Sequence, residues 1–386
     1  MTAAKPERPR LTRPTRTPRM PWMPMSSPPT SPTSTTRPGT APTYPRSAGL
    51  FVIRRRSFSL LLHRRSAAVA GVLLLLLTGA MLLSACAGQT YVPPGEVWRV
   101  LRGHGGPYDL IVGELRVPRI VLGALVGAAL GMSGALVQTV TRNPLASPDV
   151  IGVGHGAAAA TVLALATGTV ASPGALPAVS VAGGLAAAAL VYVLAWRHGM
   201  QPSRFVLTGV GIGVALSAVV QLYLTESELA AAEQVKLWLT GSLNGRGWEQ
   251  AVPLGWVLLV SLPALVWASR ALRPLGLDPD TAAALGVRVH RAQLALTVLG
   301  VILAATATGA AGPIGFVALT APQLARRLTR APQLPLVASA LTGAVVLVTA
   351  DLTARTMMPP LEIPVGALTA LVGGPYLLWL LAAPKS

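Results

Sequence analysis

The chain has little of what a soluble enzyme needs. Only 11% of its 386 residues are charged, against about a quarter in soluble domains. Aromatic residues make up 5%, so the 52% hydrophobic content is mostly small and aliphatic. One cysteine, Cys86, excludes a disulfide scaffold. The lysines (Lys5, Lys236, Lys385) stand in no glycine-rich loop, so no Walker A motif is present. The histidines (His63, His104, His155, His198, His290) are scattered, which leaves no metal-ligand set and no nucleophile–base constellation. What remains is a bilayer-embedded helical protein.

The net charge of +18 is concentrated at one end. Residues 1–65 hold 13 Lys/Arg against the single acid Glu7, and the remaining 321 residues carry only +6. No basic residues are interleaved with stacking or groove-reading elements, so no nucleic-acid partner is expected. Residues 1–50 contain 12 prolines among Thr, Ser and Arg. Such a composition blocks helix and ladder bonding. Residues 1–65 are therefore expected to form a disordered, basic, Pro-rich tail, and 66–386 a transmembrane domain. Arg55-Arg56-Ser57-Phe58 looks like a twin-arginine export signal, and Leu83-Ser84-Ala85-Cys86 like a lipoprotein processing site. More membrane follows instead of a soluble domain, so Ser66–Ala85 reads as a first transmembrane helix.

Further apolar runs lie at Ile120–Val140, Val150–Val170, Ala175–Ala195, Phe205–Leu224, Ala251–Ser269, Ala292–Ala311, Leu334–Ala354 and Ile363–Ala383. With the shorter Pro313–Leu328 they make ten crossings. From a cytoplasmic start, the inner loops receive 11 Lys/Arg and the outer loops 7, before the tail is added. That bias obeys the positive-inside rule and places both termini in the cytoplasm. Gly123, Gly127, Gly131 and Gly134 in the second span let backbones approach closely, for packing or a pore lining. The spans look almost bare of ionisable groups: His155 and Asp351 lie near their ends, and no buried acid–base pair can be drawn. A carrier driven by an ion gradient needs such groups at mid-membrane. Uphill transport by this chain must therefore draw its energy from another chain.

The loop Ala271–Arg291 is long for an inner connection. Asp280-Thr281, followed by three alanines and Leu285, predicts a short capped helix stopped by Gly286. Such a helix suits docking into a partner's groove.

Several motifs stand in a fixed order: LRVPR at 115–119, GALVQTVTRNPLASPDVIGVGHGA at 134–157, LDPDTAAALGV at 277–287, GPIGFVALTAPQLARR at 312–327, ADLTAR at 350–355 and LEIPVGALTALVGGPYLLWLL at 361–381. In these the chain resembles the FecCD family, permease subunits of ABC importers for iron–siderophore, haem and vitamin B12. The resemblance implies an all-α polytopic fold of about ten helices, the type II importer permease fold of the vitamin B12 permease kind, in the cytoplasmic (inner) membrane. It also implies a second permease subunit, homo- or heterodimeric, and two ATPase subunits that carry ATP and Mg, with no cofactor on this chain. An extracytoplasmic siderophore-binding lipoprotein would deliver the cargo, and membrane lipid surrounds the whole. Arg116, Arg119 and Arg355 correspond to the family's docking arginines. Leu277, Asp278, Asp280, Thr281, Ala282 and Gly286 correspond to its ATPase-coupling loop, and Pro202 and Ser203 to an inner gate. Glu226–Leu239 would be a short outer helix at the pore mouth. Pro322-Gln323, where many relatives have Pro-His, together with Ser-Pro-Asp-Val-Ile-Gly, points to the ferric-siderophore branch ahead of B12 or haem. An ion-driven carrier is the reading from another class.

Overall fold

A chain in lipid must satisfy every backbone polar group internally, and apolar runs of this length do so as helices. The computed structural model describes residues 50–55, 58–167, 175–196, 202–277, 279–331, 333–359 and 361–382. Two short antiparallel strands, β1 (Leu50–Arg55) and β2 (Phe58–His63), pair from Leu50↔His63 to Arg55↔Phe58. They fall inside the stretch expected to be a tail up to residue 65. The segment lacks the prolines of residues 1–50 and is rich in aromatic and branched residues, which favour strands.

The membrane helices are α1 (Arg64–Cys86), α3 (Val117–Thr141), α4 (Val153–Ala166), α5 (Leu176–Ala195), α6 (Pro202–Glu226), α8 (Trp248–Leu275), α10 (Val289–Ala311), α11 (Val317–Thr329), α12 (Leu336–Thr356) and α13 (Val365–Ala382). Between them lie the short helices α2 (Pro94–Leu101), α7 (Leu229–Leu239) and α9 (Pro279–Ala284). A π-helical turn, Leu110–Arg116, runs directly into α3. Each of the ten expected spans thus contains a helix. Seven are long and apolar enough to cross a membrane, and Val153–Ala166 and Val365–Trp379 are shorter apolar helices. The expected outer helix over Glu226–Leu239 is shorter, because Ser227 and Glu228 separate α6 from α7.

α3 lies at the centre. Its apolar window is 72% buried, against 22% for α6 and for α8. Leu122 and Leu136 of α3, Leu296 and Leu303 of α10 and Leu347 of α12 are fully buried in one core. The glycines singled out above set this arrangement. Gly127 backs onto the backbone of Gly343 and Ala344 in α12, Gly131 onto the Ser339 carbonyl, and Gly134 onto the Ala318 carbonyl of α11. Gly123 has a looser neighbour, with Leu243 Cδ1 3.1 Å from where a Cβ would sit. Gly343 faces Gly127 reciprocally, so two backbones touch with no side chain between them. A similar pair, Gly156 and Gly183, joins α4 to α5.

Gly127→Val is expected to separate α3 from α12. Overpacking of this kind costs about 1–3 kcal/mol or more. The purified variant should show a clearly lower thermal midpoint in detergent. Gly211→Ala, in α6 where a Cβ meets nothing within 4 Å, should leave the midpoint unchanged or raise it.

Candidate functional site

Two polar regions interrupt the apolar bundle, one at each end of α3. At the first, Arg116, Arg119 and Arg355 converge, with Glu362, on a cavity of about 480 Å³. Arg116 closes the π-helical turn, Arg119 lies in the first turn of α3 and Arg355 in the last turn of α12. All three are buried, at 7–8% exposure. Their hydrogen-bonding forks are occupied within the chain. Arg116 Nη1 donates to the carbonyls of Ala85 (2.7 Å) and Cys86 (3.1 Å), and its Nη2 donates to that of Thr90. It thereby caps the carboxyl end of α1, where unpaired carbonyls favour a cation.

Arg119 Nη2 is 2.8 Å from Asp351 Oδ1, and its Nη1 is 2.9 Å from Glu362 Oε2. Arg355 Nε lies 3.2 Å from Asp351 Oδ2, close enough for an ion pair but without hydrogen-bond geometry. Its Nη2 instead donates to the Ser84 carbonyl at 3.1 Å. Asp351 is 2% exposed. The expectation that no buried acid–base pair could be drawn is therefore wrong. Arg119 and Asp351 are 232 residues apart, and counting Arg119 and Arg355 as loop residues hid their partner. The signal was present in ADLTAR, where Asp351 and Arg355 stand four residues apart on an otherwise uncharged helix.

Arg246, in the turn before α8, lines the same cavity. Sequence reasoning gave it no role. Its side chain makes no hydrogen bond or ion pair among the described residues, and burial lowers its pKa.

At the other end, α9 stands between α8 and α10. Ala282 is fully buried, while Asp280, Thr281 and Leu285 are exposed. Gly286 takes a φ of +81°, and Gly286 N–H donates to Ala283 O while Val287 N–H donates to Ala282 O. These two bonds terminate the helix as expected. The start differs: the helix opens at Pro279, so Asp280 sits in its first turn and does not precede it. Asp278 lies outside the described residues. Arg142, at the carboxyl end of α3, donates from Nη2 to the Leu277 carbonyl at 2.8 Å. A cavity of about 510 Å³ opens here, lined in part by Gln138, Arg142, Leu277 and Gln323. Gln323 Nε2 donates to Gln138 Oε1 at 2.7 Å, and Gln138 Nε2 to the Leu319 carbonyl at 3.0 Å. This buried amide pair joins α3 to α11. Gln138 stood inside a quoted motif but received no role. In the loop between α3 and α4, burial pushes the Asp149 carboxyl up to about 6. Pro202 and Ser203 open α6, with Ser203 exposed, and residues 197–201 before them lie outside the described residues.

Residues 74–383 match the FecCD transport family. The chain is 38% identical to the ferric enterobactin transport system permease protein FepG of Escherichia coli (strain K12), over 80% of this chain and 96% of that protein. It is 41% identical to the Fe(3+) dicitrate transport system permease protein FecD of the same strain, with the same coverage. The vitamin B12 import system permease protein BtuC of Salmonella schwarzengrund (strain CVM19633) is 33% identical over 80% of this chain and 92% of that protein. The fold is similar to an inward-facing metal-chelate type ABC transporter, with a TM-score of 0.72, 29% identity and coverage of 83% of this chain and all of that one.

Asp351→Ala should leave Arg119 and Arg355 buried without their shared carboxylate. Breaking a buried pair this way costs about 3–5 kcal/mol, so the variant should unfold in detergent well below the wild-type temperature. Adding Arg119→Met should recover part of the loss.

Proposed function

The chain belongs to the FecCD transport family, and on that premise we propose that it passes ferric siderophore across the cytoplasmic membrane. It is a multi-pass permease subunit of an ABC importer and not itself a catalyst. The similarity to the ferric enterobactin and Fe(3+) dicitrate permease proteins, over 80% of this chain, is the observation that carries the cargo. In this reading residues 66–386 form the permease domain, and both termini lie in the cytoplasm. ATP and Mg belong to two partner ATPases, which grip the exposed face of α9. Leu277, Asp278, Asp280, Thr281, Ala282 and Gly286 make up that coupling loop, in which buried Ala282 anchors the helix to this chain and Gly286 stops it. A second permease, identical or different, completes the pore, and Pro202 and Ser203 lie near its inner gate.

An extracytoplasmic binding lipoprotein docks over the arginine cavity. Arg116, Arg119 and Arg355 frame that cavity, and Arg246 supplies the fork not already engaged. A planar guanidinium suits a carboxylate on an incoming protein. Glu362 supports the same picture. Its side chain is 28% exposed against 3% for Asp351, so an incoming carboxylate can replace it on Arg119.

Deleting the gene should abolish uptake of iron-loaded siderophore, with restoration by the wild-type copy. Loss of vitamin B12 uptake with siderophore uptake intact would move the cargo to B12. Unchanged uptake of both, in a strain without paralogues, would overturn the reading. Arg246→Glu should weaken capture of the binding protein by the assembled transporter about tenfold or more at low salt, and the difference should shrink as salt rises. Wild-type capture by the folded variant would remove Arg246 from the docking surface.

A further inference from the structure

A third cavity, of about 360 Å³, lies between α11, α12 and α13, away from both polar ends described above. It runs beside α11 from Phe316 to Leu324, roughly 12 Å of helix, and no acidic side chain lines it. Five hydroxyls do. Thr320, Thr349, Thr353 and Thr369 each return theirs to a carbonyl of their own helix, at 2.7–3.0 Å. The fifth, on Tyr376, is buried and has no hydrogen-bond partner among the described residues. An unpaired donor in a dry apolar slot is costly, so it marks where an acceptor belongs.

One turn further along the same two helices the surface changes character. Leu324 is followed by Arg327 on α11, and Tyr376 by Trp379 on α13. The Arg327 guanidinium stacks 4.7 Å from the centre of the Trp379 ring. That ring lies 5.8 Å from the ring of Tyr376, and Arg327 is close enough to Tyr376 to interact with it electrostatically. Arg327 is exposed and makes no ion pair among the described residues, and Trp379 is 55% exposed. The charge pattern places this end on the cytoplasmic side, at the depth where aromatic belts and arginines meet lipid headgroups.

From these observations we propose that the groove between α11, α12 and α13 holds one anionic phospholipid. Its phosphate lies between Arg327 and the Tyr376 hydroxyl, and one acyl chain fills the apolar cavity. The phosphate supplies the acceptor that Tyr376 lacks and the counter-charge that Arg327 lacks. The threonines have no polar demand left, so they present methyl groups to the chain. A free phosphate would satisfy the head of the site but leave the apolar slot empty. A neutral lipid would fill the slot but leave Arg327 without net compensation.

The test uses the full chain, purified in mild detergent, loaded with phosphatidylglycerol or phosphatidylcholine and washed. Lipid retained per chain is counted by native mass spectrometry. Wild type should keep one phosphatidylglycerol and little phosphatidylcholine. Arg327→Gln should lower that retention about tenfold, and Tyr376→Phe, which removes only the hydroxyl, about fivefold. Arg326→Gln removes the same charge from the neighbouring residue, which lines the inner cavity, and should retain lipid as wild type does. Equal losses for Arg326→Gln and Arg327→Gln would overturn the site, as would equal retention of the two lipids. So would a chain that holds no lipid and elutes as a dimer, since a second copy would then cover the groove. Tyr376→Phe keeps the test open if Arg327→Gln does not fold.

Discussion

Within a bilayer, two helices gain nothing by hiding leucines from each other, because lipid is as apolar as leucine. What draws them together is close contact, and close contact needs small residues. The meeting of Gly127 with Gly343, where α3 and α12 touch backbone to backbone, is the interaction on which this bundle depends. It holds α3 at the centre, and the two polar regions then follow from that placement. One end of α3 carries Arg119, and the π-helical turn leading into it carries Arg116. The other end carries Gln138 and Arg142. Both polar regions are therefore mounted on α3, which with α10 is one of the two most deeply buried of the long helices.

The arginines at one end of α3 show what that mounting demands. Burying a guanidinium is expensive unless its charge and its donors are met. Here Asp351 serves two arginines, Glu362 serves one, and the end of α1 absorbs the fork of Arg116. These pairs tie α1, α3 and α12 together at one end, and replacing them with apolar residues need not weaken the fold. Their value lies in position. A charge held this firmly stays in place at the cavity, so no side chain has to be ordered when an anionic group approaches. Arg246, desolvated and lacking an acid, adds the attraction that its neighbours have spent on each other.

Much of this was legible in the residues. Ten apolar stretches became ten helices because length and hydropathy decide that outcome in lipid. Gly286 ended α9 as expected because only a residue free of Cβ strain takes its φ of +81°. Contacts across long separations stayed hidden. Nothing near Arg119 in the chain announces Asp351, and nothing near Gln138 announces Gln323. Each pairing exists only after α3 has been laid against α12 or α11. The start of α9 shifted because Pro279 favours the first turn of a helix and so moved its boundary before Asp280.

The unequal burial of the helices also limits how this permease can move. α3, α10, α11 and α12 form a close-packed body whose glycine contacts leave no slack, and a packed core of that kind shifts as a unit. Arg142 bonds the end of that body to Leu277 beside α9, so a partner that pulls on α9 pulls on the whole unit. The helices able to change place are those with little surface committed inside the chain. For α6 and α8 only 22% of the apolar window is buried, and both begin or end beside the inner loops. Their open faces must be covered by lipid or by a second permease. These outer helices are therefore the ones free to slide past the packed centre, to which Arg142 ties the segment beside α9.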